Sequence, residues 1–286
     1  MAFCEVPLQV VNEWIGRTFF CANDAGEWIF VHLFAVMFVL FRSDMLDSPH
    51  QKSRYTSYIF SMIGTIFLFC FWPSFNAANT DGPERLRAVI NTCVSICSSV
   101  LGTFIASSLV RRGKLGIVHV QSATLAGGVA VGTVAASNIG LHGALIIGTL
   151  AGFVSTLGFH SVLPKLEVIR IHDTCGVHNL HGIPGLMSGI AGIILASIPE
   201  QSGFQDHLTV LRLTGGLQCS SNIQAAYQAA VVGLTLIVAI VGGLFTGLLL
   251  RLPLFSQESQ YFDDEVHWHI PEPEHRRSLK MRLYTR

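Results

Sequence analysis

Charge is scarce in this sequence. Asp, Glu, Lys and Arg make up 13% of 286 residues, and the 18 acidic residues cancel the 18 Lys and Arg. No positive excess is left to grip nucleic acid or an acidic partner. CxxC pairs are missing as well: Cys4, Cys21, Cys70, Cys93, Cys97, Cys175 and Cys219 are scattered, and odd in number. A zinc ribbon or a paired disulfide framework is thereby excluded, and the cysteines, most of them in apolar runs, are expected to be small buried residues. Nor is there a nucleophile beside a base or a phosphate-binding glycine loop, so an enzyme is not expected and no cofactor is implied. Residues 1–21 do not read as a signal peptide, because they lack a basic start and carry Glu5, Asn12, Glu13 and Arg17. The chain is expected to begin inside a longer fold.

What fills the sequence is apolar. Hydrophobic residues reach 50% and the mean hydropathy is +0.51, far from the mixed make-up of a soluble domain. The fold class is an all-α polytopic membrane protein. Apolar segments of spanning length, about 20 residues each, are expected at 57–78, 86–109, 116–136, 142–164, 176–198 and 225–250. A shorter seventh lies at 27–42, and 5–21 has the look of the end of an eighth. Small residues four apart, such as Gly128 with Gly132 and Gly148 with Gly152, allow helix backbones to approach closely in lipid. Lys and Arg accumulate on the cytoplasmic side. With the C-terminus inside, fourteen of them fall on that side and three outside. The expected organisation is a membrane domain over 1–251 and a cytoplasmic tail over 252–286, disordered beyond Pro271.

Polar residues inside such spans carry the chemistry. A histidine buried in a span costs desolvation, so by default it faces a pathway. Asp24 precedes His32 by eight residues in DAGEWIFVH, and Asp173 precedes His181 by eight in DTCGVHNLH. Eight helical residues rise about 12 Å, which puts each Asp near one face and its His deeper. The assigned orientation makes the two helices antiparallel, as an inverted repeat around a midplane site requires. The plainer reading is that each Asp caps its helix and each His packs. A metal held by Asp173, His178 and His181 is the weakest alternative, since no further ligand stands nearby. His119 and His160 read as helix-end residues, and the proline in the break WPSFN (72–76) places Phe75 and Asn76 where the helix loosens at the extracellular face.

Four segments together resemble one family: DTCGVHNLHGIPG (173–185), MIGTIFLFCFWPSFNAA (62–78), GKLGIVHVQSATLAGGVAVGT (113–133) and YFDDEVHWHIPE (261–272). They are similar to the Rh (Rhesus) glycoproteins of the ammonium transporter superfamily, over nearly the whole chain. The resemblance implies the ammonium-transporter fold, an inverted five-helix repeat, here N-terminally truncated to about seven full spans from a remnant of helix four to helix eleven. It implies a trimer, homo- or hetero-, in the plasma membrane with no nucleic-acid partner. His32 and His181 match the twin pore histidines, Phe75 a pore-mouth phenylalanine, and Asp24 and Asp173 the paired acidic residues of the entrances. Metal ligands are not implied. The substrate class is ammonium, deprotonated at the mouth and passed as ammonia, with carbon dioxide as a second gas. The alternative is a non-conducting Rh-family membrane subunit or truncated gene product. With most of one repeat half expected to be missing and Trp28 and Leu33 bulky beside His32, the 286 residues alone are expected to conduct little or nothing.

Overall fold

The computed structural model describes residues 55–78, 80–169, 173, 176–198, 221–250 and 252. The expected spans at 5–21 and 27–42, with His32 and Asp24, lie outside the described residues, as does the tail from 253 onward. Within them the six expected spans are all present as helices: α1 Tyr55–Asn76, α2 Gly82–Val110, α3 Ile117–Val134, α4 Gly140–Val168, α5 His178–Ser197 and α6 Ser221–Leu250. Each is long and apolar enough to cross a membrane, which makes the chain a multi-pass helical membrane protein.

Proline and glycine shape these helices locally. Pro73 does not break α1. It sits buried within the helix, which continues until Asn76, and its carbonyl still accepts the Ala77 N–H at 3.2 Å. Phe75 and Asn76 form the last turn of the helix, which loosens there as expected. α2 opens with Gly82 at φ +56 and a proline in its first turn, where a missing N–H costs nothing. It closes through Arg112 and Gly113, both at positive φ.

α4 and α5 share a rarer feature. Each contains a π-helical turn, Gly158–Val162 in α4 and His178–Gly182 in α5. Both turns end immediately before a residue–proline pair, Leu163-Pro164 and Ile183-Pro184. The offset is the same, and so is the cause. A proline cannot donate to the carbonyl four residues back and its ring pushes that carbonyl away, so the preceding turn widens.

The core is held by close backbone approach and by hydroxyl groups more than by large side chains. α2 and α4 form the most extensive helix pair. At Gly102, Gly148 and Gly152 a β-carbon would collide with the backbone carbonyl of Thr149, Ser95 and Ser99, respectively, so only glycine permits this contact. α2 also carries Asn91, Ser95, Ser99, Thr103 and Ser107, four residues apart and all buried. This polar ladder faces α3, whose helix is interrupted by 3-10 segments at Ala123–Leu125 and Gly132–Val134. Ser99 Oγ donates to Ala123 O at 3.0 Å and accepts from Gly127 N at 3.2 Å. Ser95 Oγ donates to Gly127 O at 2.8 Å, and Asn91 Nδ2 to Ala135 O at 2.8 Å. From the other side Ser188 of α5 accepts from Thr133 N at 2.9 Å. Backbone groups that the broken ladder of α3 frees are thus satisfied inside the protein, the one place at membrane depth where irregular backbone is tolerated.

Among the described cysteines the expectation of burial fails. Cys70, Cys93 and Cys97 are free and exposed on the outer, apolar surface of the helices. In a spanning helix an apolar run has an outward face too, so lying in such a run does not place a cysteine in the core.

Candidate functional site

His181 sits in the π turn at the start of α5, and its position follows from how that turn is anchored. Asp173, 4% exposed, accepts the Val177 N–H on Oδ1 at 2.8 Å and the His178 N–H on Oδ2 at 2.9 Å. Both carboxylate oxygens therefore cap the first free amides of the helix. Gly176, at φ +68, lets the chain turn in from Asp173, and its α-carbon lies so close to the Phe159 ring that any side chain would collide with it. Since α5 is helical only from Val177, the eight residues from Asp173 to His181 are not a continuous helix. His181 lies about one turn into α5 rather than the 12 Å expected from unbroken helix.

A neighbour that the sequence did not reveal fixes the imidazole. The ring of Trp72, on α1, stacks on His181 with centroids 6.1 Å apart and planes inclined by 19°. Trp72 is itself 6% exposed. Phe75, on the same helix, meets Trp72 edge-on at 6.4 Å and is 52% exposed. Asn76 holds this end of α1 against α3 by donating from Nδ2 to Gly128 O at 2.9 Å. Gly128 completes the fit, for a β-carbon there would come 2.8 Å from the indole. An aromatic immediately before a buried proline was the sequence signal for Trp72, but its partner lies 109 positions away.

The metal alternative finds no support in this geometry. Asp173 spends both oxygens on backbone amides, and the π turn opens the three-residue spacing that would align His178 and His181 on an α-helix. The His178 ring leans on Gly182 instead, where a β-carbon would meet its Nδ1 at 3.3 Å. Among the described residues no three His, Cys, Asp or Glu side chains are grouped to hold an ion.

Of the other polar residues, His119 is a buried member of the first turn of α3. Ser107 Oγ accepts the Gly116 N–H at 2.9 Å and lies 2.9 Å from His119 Nδ1. Gln121 is structural, since its Nε2 donates to Tyr58 O and its own carbonyl accepts from Thr65 Oγ1 at 2.8 Å. His160 is exposed on the π turn of α4. Asn179, between the two histidines of α5, is fully buried; nothing in the sequence reading had singled it out.

Comparison with known proteins places this arrangement. Ammonium transporter Rh type B of Rattus norvegicus is 45% identical over 98% of the chain and 65% of its own length. Ammonium transporter Rh type A of Bos taurus is 40% identical over 95% of the chain and 62% of its own. The chain thus spans under two thirds of the length of these relatives. Among solved structures, Nitrosomonas europaea Rh50, described in connection with the mechanism of conduction by the Rhesus protein family of channels, superposes with a TM-score of 0.75. That match is 32% identical and covers 99% of the chain and 71% of Rh50. Residues 8–270, including α1 to α6 and the His181 turn, match one protein family throughout, and the chain belongs to it: the Ammonium Transporter Family.

Proposed function

We propose that this chain serves the passage of ammonium nitrogen across a membrane as ammonia, in a channel-type transporter, and that it is not an enzyme. The observation that carries this is the placement of His181 on a proline-induced π turn with one imidazole face laid against Trp72. A stacked imidazole keeps its ring nitrogens pointed edgewise, where they can exchange hydrogen bonds with a small neutral molecule. Ammonium cannot use such a site cheaply, because taking a cation out of water costs far more than taking out a neutral amine. Ammonia loses only its hydrogen bonds, which an imidazole pair restores.

In this reading His32 faces His181 as the second member of the pair and Phe75 guards the mouth. Asp24 and Asp173 hold the two histidine helices in matching fashion. Carbon dioxide, small and neutral, suits the same apolar path. The chain works in a trimer of Rh-type subunits in the plasma membrane, with residues 252–286 as a cytoplasmic tail and 1–251 as the membrane domain, an orientation supported by the fourteen Lys and Arg on that side. The exposed apolar surfaces of α1 and α2 suit lipid or a neighbouring subunit.

The test is internal alkalinisation of vesicles carrying this chain after an imposed ammonium gradient, read with a pH-sensitive dye. In place of the little or no conduction expected of the 286 residues from the resemblance, this reading requires alkalinisation faster than in protein-free vesicles and its loss in His181→Ala. A rate equal to that of protein-free vesicles would overturn this reading in favour of a non-conducting membrane subunit.

A further inference from the structure

The π turn of α4 bears directly on the entry to α5. Two consecutive residues make the contact, Gly158 against Asn179 and Phe159 against Gly176. A β-carbon at Gly158 would collide with the Asn179 carboxamide oxygen and stand 3.0 Å from its Cγ and 3.2 Å from its Cβ. One at Gly176 would strike the Phe159 ring, so each element offers a glycine to a side chain of the other. Asn179 is fully buried, yet among the described residues neither polar atom of its carboxamide finds a hydrogen-bond partner. It therefore contributes by shape, filling the space that Gly158 leaves open. Of the two sides, α4 is the better anchored. Gly148 and Gly152 hold it against α2, and the Phe159 ring is backed by the His119 ring of α3, with centroids 6.4 Å apart and planes inclined by 41°.

We propose that Asn179 and Phe159 are positioning residues for His181: the π turn of α4 is a seat into which the start of α5 is keyed, and this fit sets where the His181 ring stands against Trp72. Asn179 precedes His181 by two residues inside one five-residue turn, so a shift at the seat is carried to the imidazole. The wide turn needs such support. A π turn is rare and less regular than α-helix, and Pro184 displaces a carbonyl without fixing where the widened turn comes to rest. Asp173 fixes the first amides of α5, and Trp72 meets one face of the imidazole. The distance of the turn from α4 is left to the two glycine contacts, and a close-packed contact of this kind does not deform continuously. The inference rests on the conduction reading only for its consequence in transport; the placement of His181 stands apart from it.

Thermal unfolding and tryptophan emission of the full chain in lipid nanodiscs test it. Helix propensity alone makes Gly→Ala stabilising, so Gly64→Ala on the open face of α1 should not lower Tm. Gly158→Ala should lower it, and Asn179→Ala added to Gly158→Ala should recover more than half of that loss, because the obstructing carboxamide is gone. With Trp14, Trp28 and Trp268 replaced by Phe, emission reports on Trp72 alone. In Gly158→Ala and in Phe159→Leu it should move toward that of His181→Ala, and in the double variant it should return. A purely structural role would lower Tm and leave the emission as it was. Ammonium-driven alkalinisation per folded protein should follow the emission. Tm unchanged or raised in Gly158→Ala, no recovery in the double variant, or emission unmoved in Gly158→Ala and Phe159→Leu overturns the proposal. If Gly158→Ala does not fold, folding of the double variant upholds the proposal and its failure to fold overturns it. If the unaltered chain does not alkalinise vesicles, the conduction reading falls, while Tm and emission still decide this one.

Discussion

α3 and α5 are both irregular helices, yet their irregularities are resolved in opposite ways. In α3 the groups freed at two 3-10 segments are taken up by hydroxyls and an amide of α2 and by Ser188 of α5. In α5 the π turn brings a histidine against Trp72 and leaves the Asn179 carboxamide without a protein partner. The first irregularity is sealed and serves close packing: 67% of α3 is buried, the largest share among the described spans and far above the 17% of α1. The second stays chemically open, at the position where the family resemblance puts a pore histidine. Irregular backbone in a membrane protein is therefore not evidence of a site by itself. What separates the two cases is whether the polar groups beside the irregularity are already spoken for.

The sealed half of this comparison breaks hardest at the glycine contacts that bring α2 and α4 together. Gly148→Leu would drive a side chain into the Ser95 carbonyl, a backbone atom that cannot move aside. Loss of most monodisperse protein on size-exclusion chromatography is expected. Gly64→Leu on the open face of α1, where nothing lies within 4 Å of a β-carbon, should give normal yield; equal yields from the two variants would refute close α2–α4 packing. A smaller effect is expected from Ser99→Ala, which removes the hydroxyl partner of Gly127 N and one of the two donors to Ala123 O. At about 1–3 kcal/mol for buried groups left unsatisfied, and about 2–4 °C per kcal/mol in a protein of this order of size, Tm should drop by several degrees. Ser74→Ala removes only an exposed hydroxyl that bonds Phe71 O and should leave Tm unchanged. If both serines behave alike, the ladder does not splint α3.

How far the sequence announced all this depends on the range of the interaction. The six described spans were legible because a run of about twenty apolar residues has few other uses. The two π turns were written in the sequence as well, in GFHSVLP and HNLHGIP, though only their shared offset from proline makes the pattern readable. The polar ladder of α2 could have been found from its spacing of four within an apolar helix. Trp72 against His181 could not, since nothing local pairs residues 109 apart. The matched Asp–His spacing misled on one point. It assumed eight helical residues, whereas Asp173 lies outside the helix and reaches its amides with both oxygens. Spacing along a sequence becomes distance only once the conformation between the two residues is known.

Asp173 gives the finest test of the comparison, because it belongs to the open half yet behaves like a sealed group. A carboxylate that attracts ammonium at an entrance would keep an oxygen free toward water, whereas Asp173 is 4% exposed and uses one oxygen for each of two amides. Its role as observed is that of a cap. Removing a cap costs about 1 kcal/mol, so Asp173→Ala should lower Tm by a few degrees. Asp173→Asn keeps one carbonyl oxygen and should recover more than half of that loss. If capping is the whole role, Asp173→Asn should also retain the ammonium-driven alkalinisation of the unaltered chain, with any deficit in proportion to folded protein. Alkalinisation lost while Tm is kept would show that the charge itself is used, and would move Asp173 from the scaffold of the His181 turn into its chemistry.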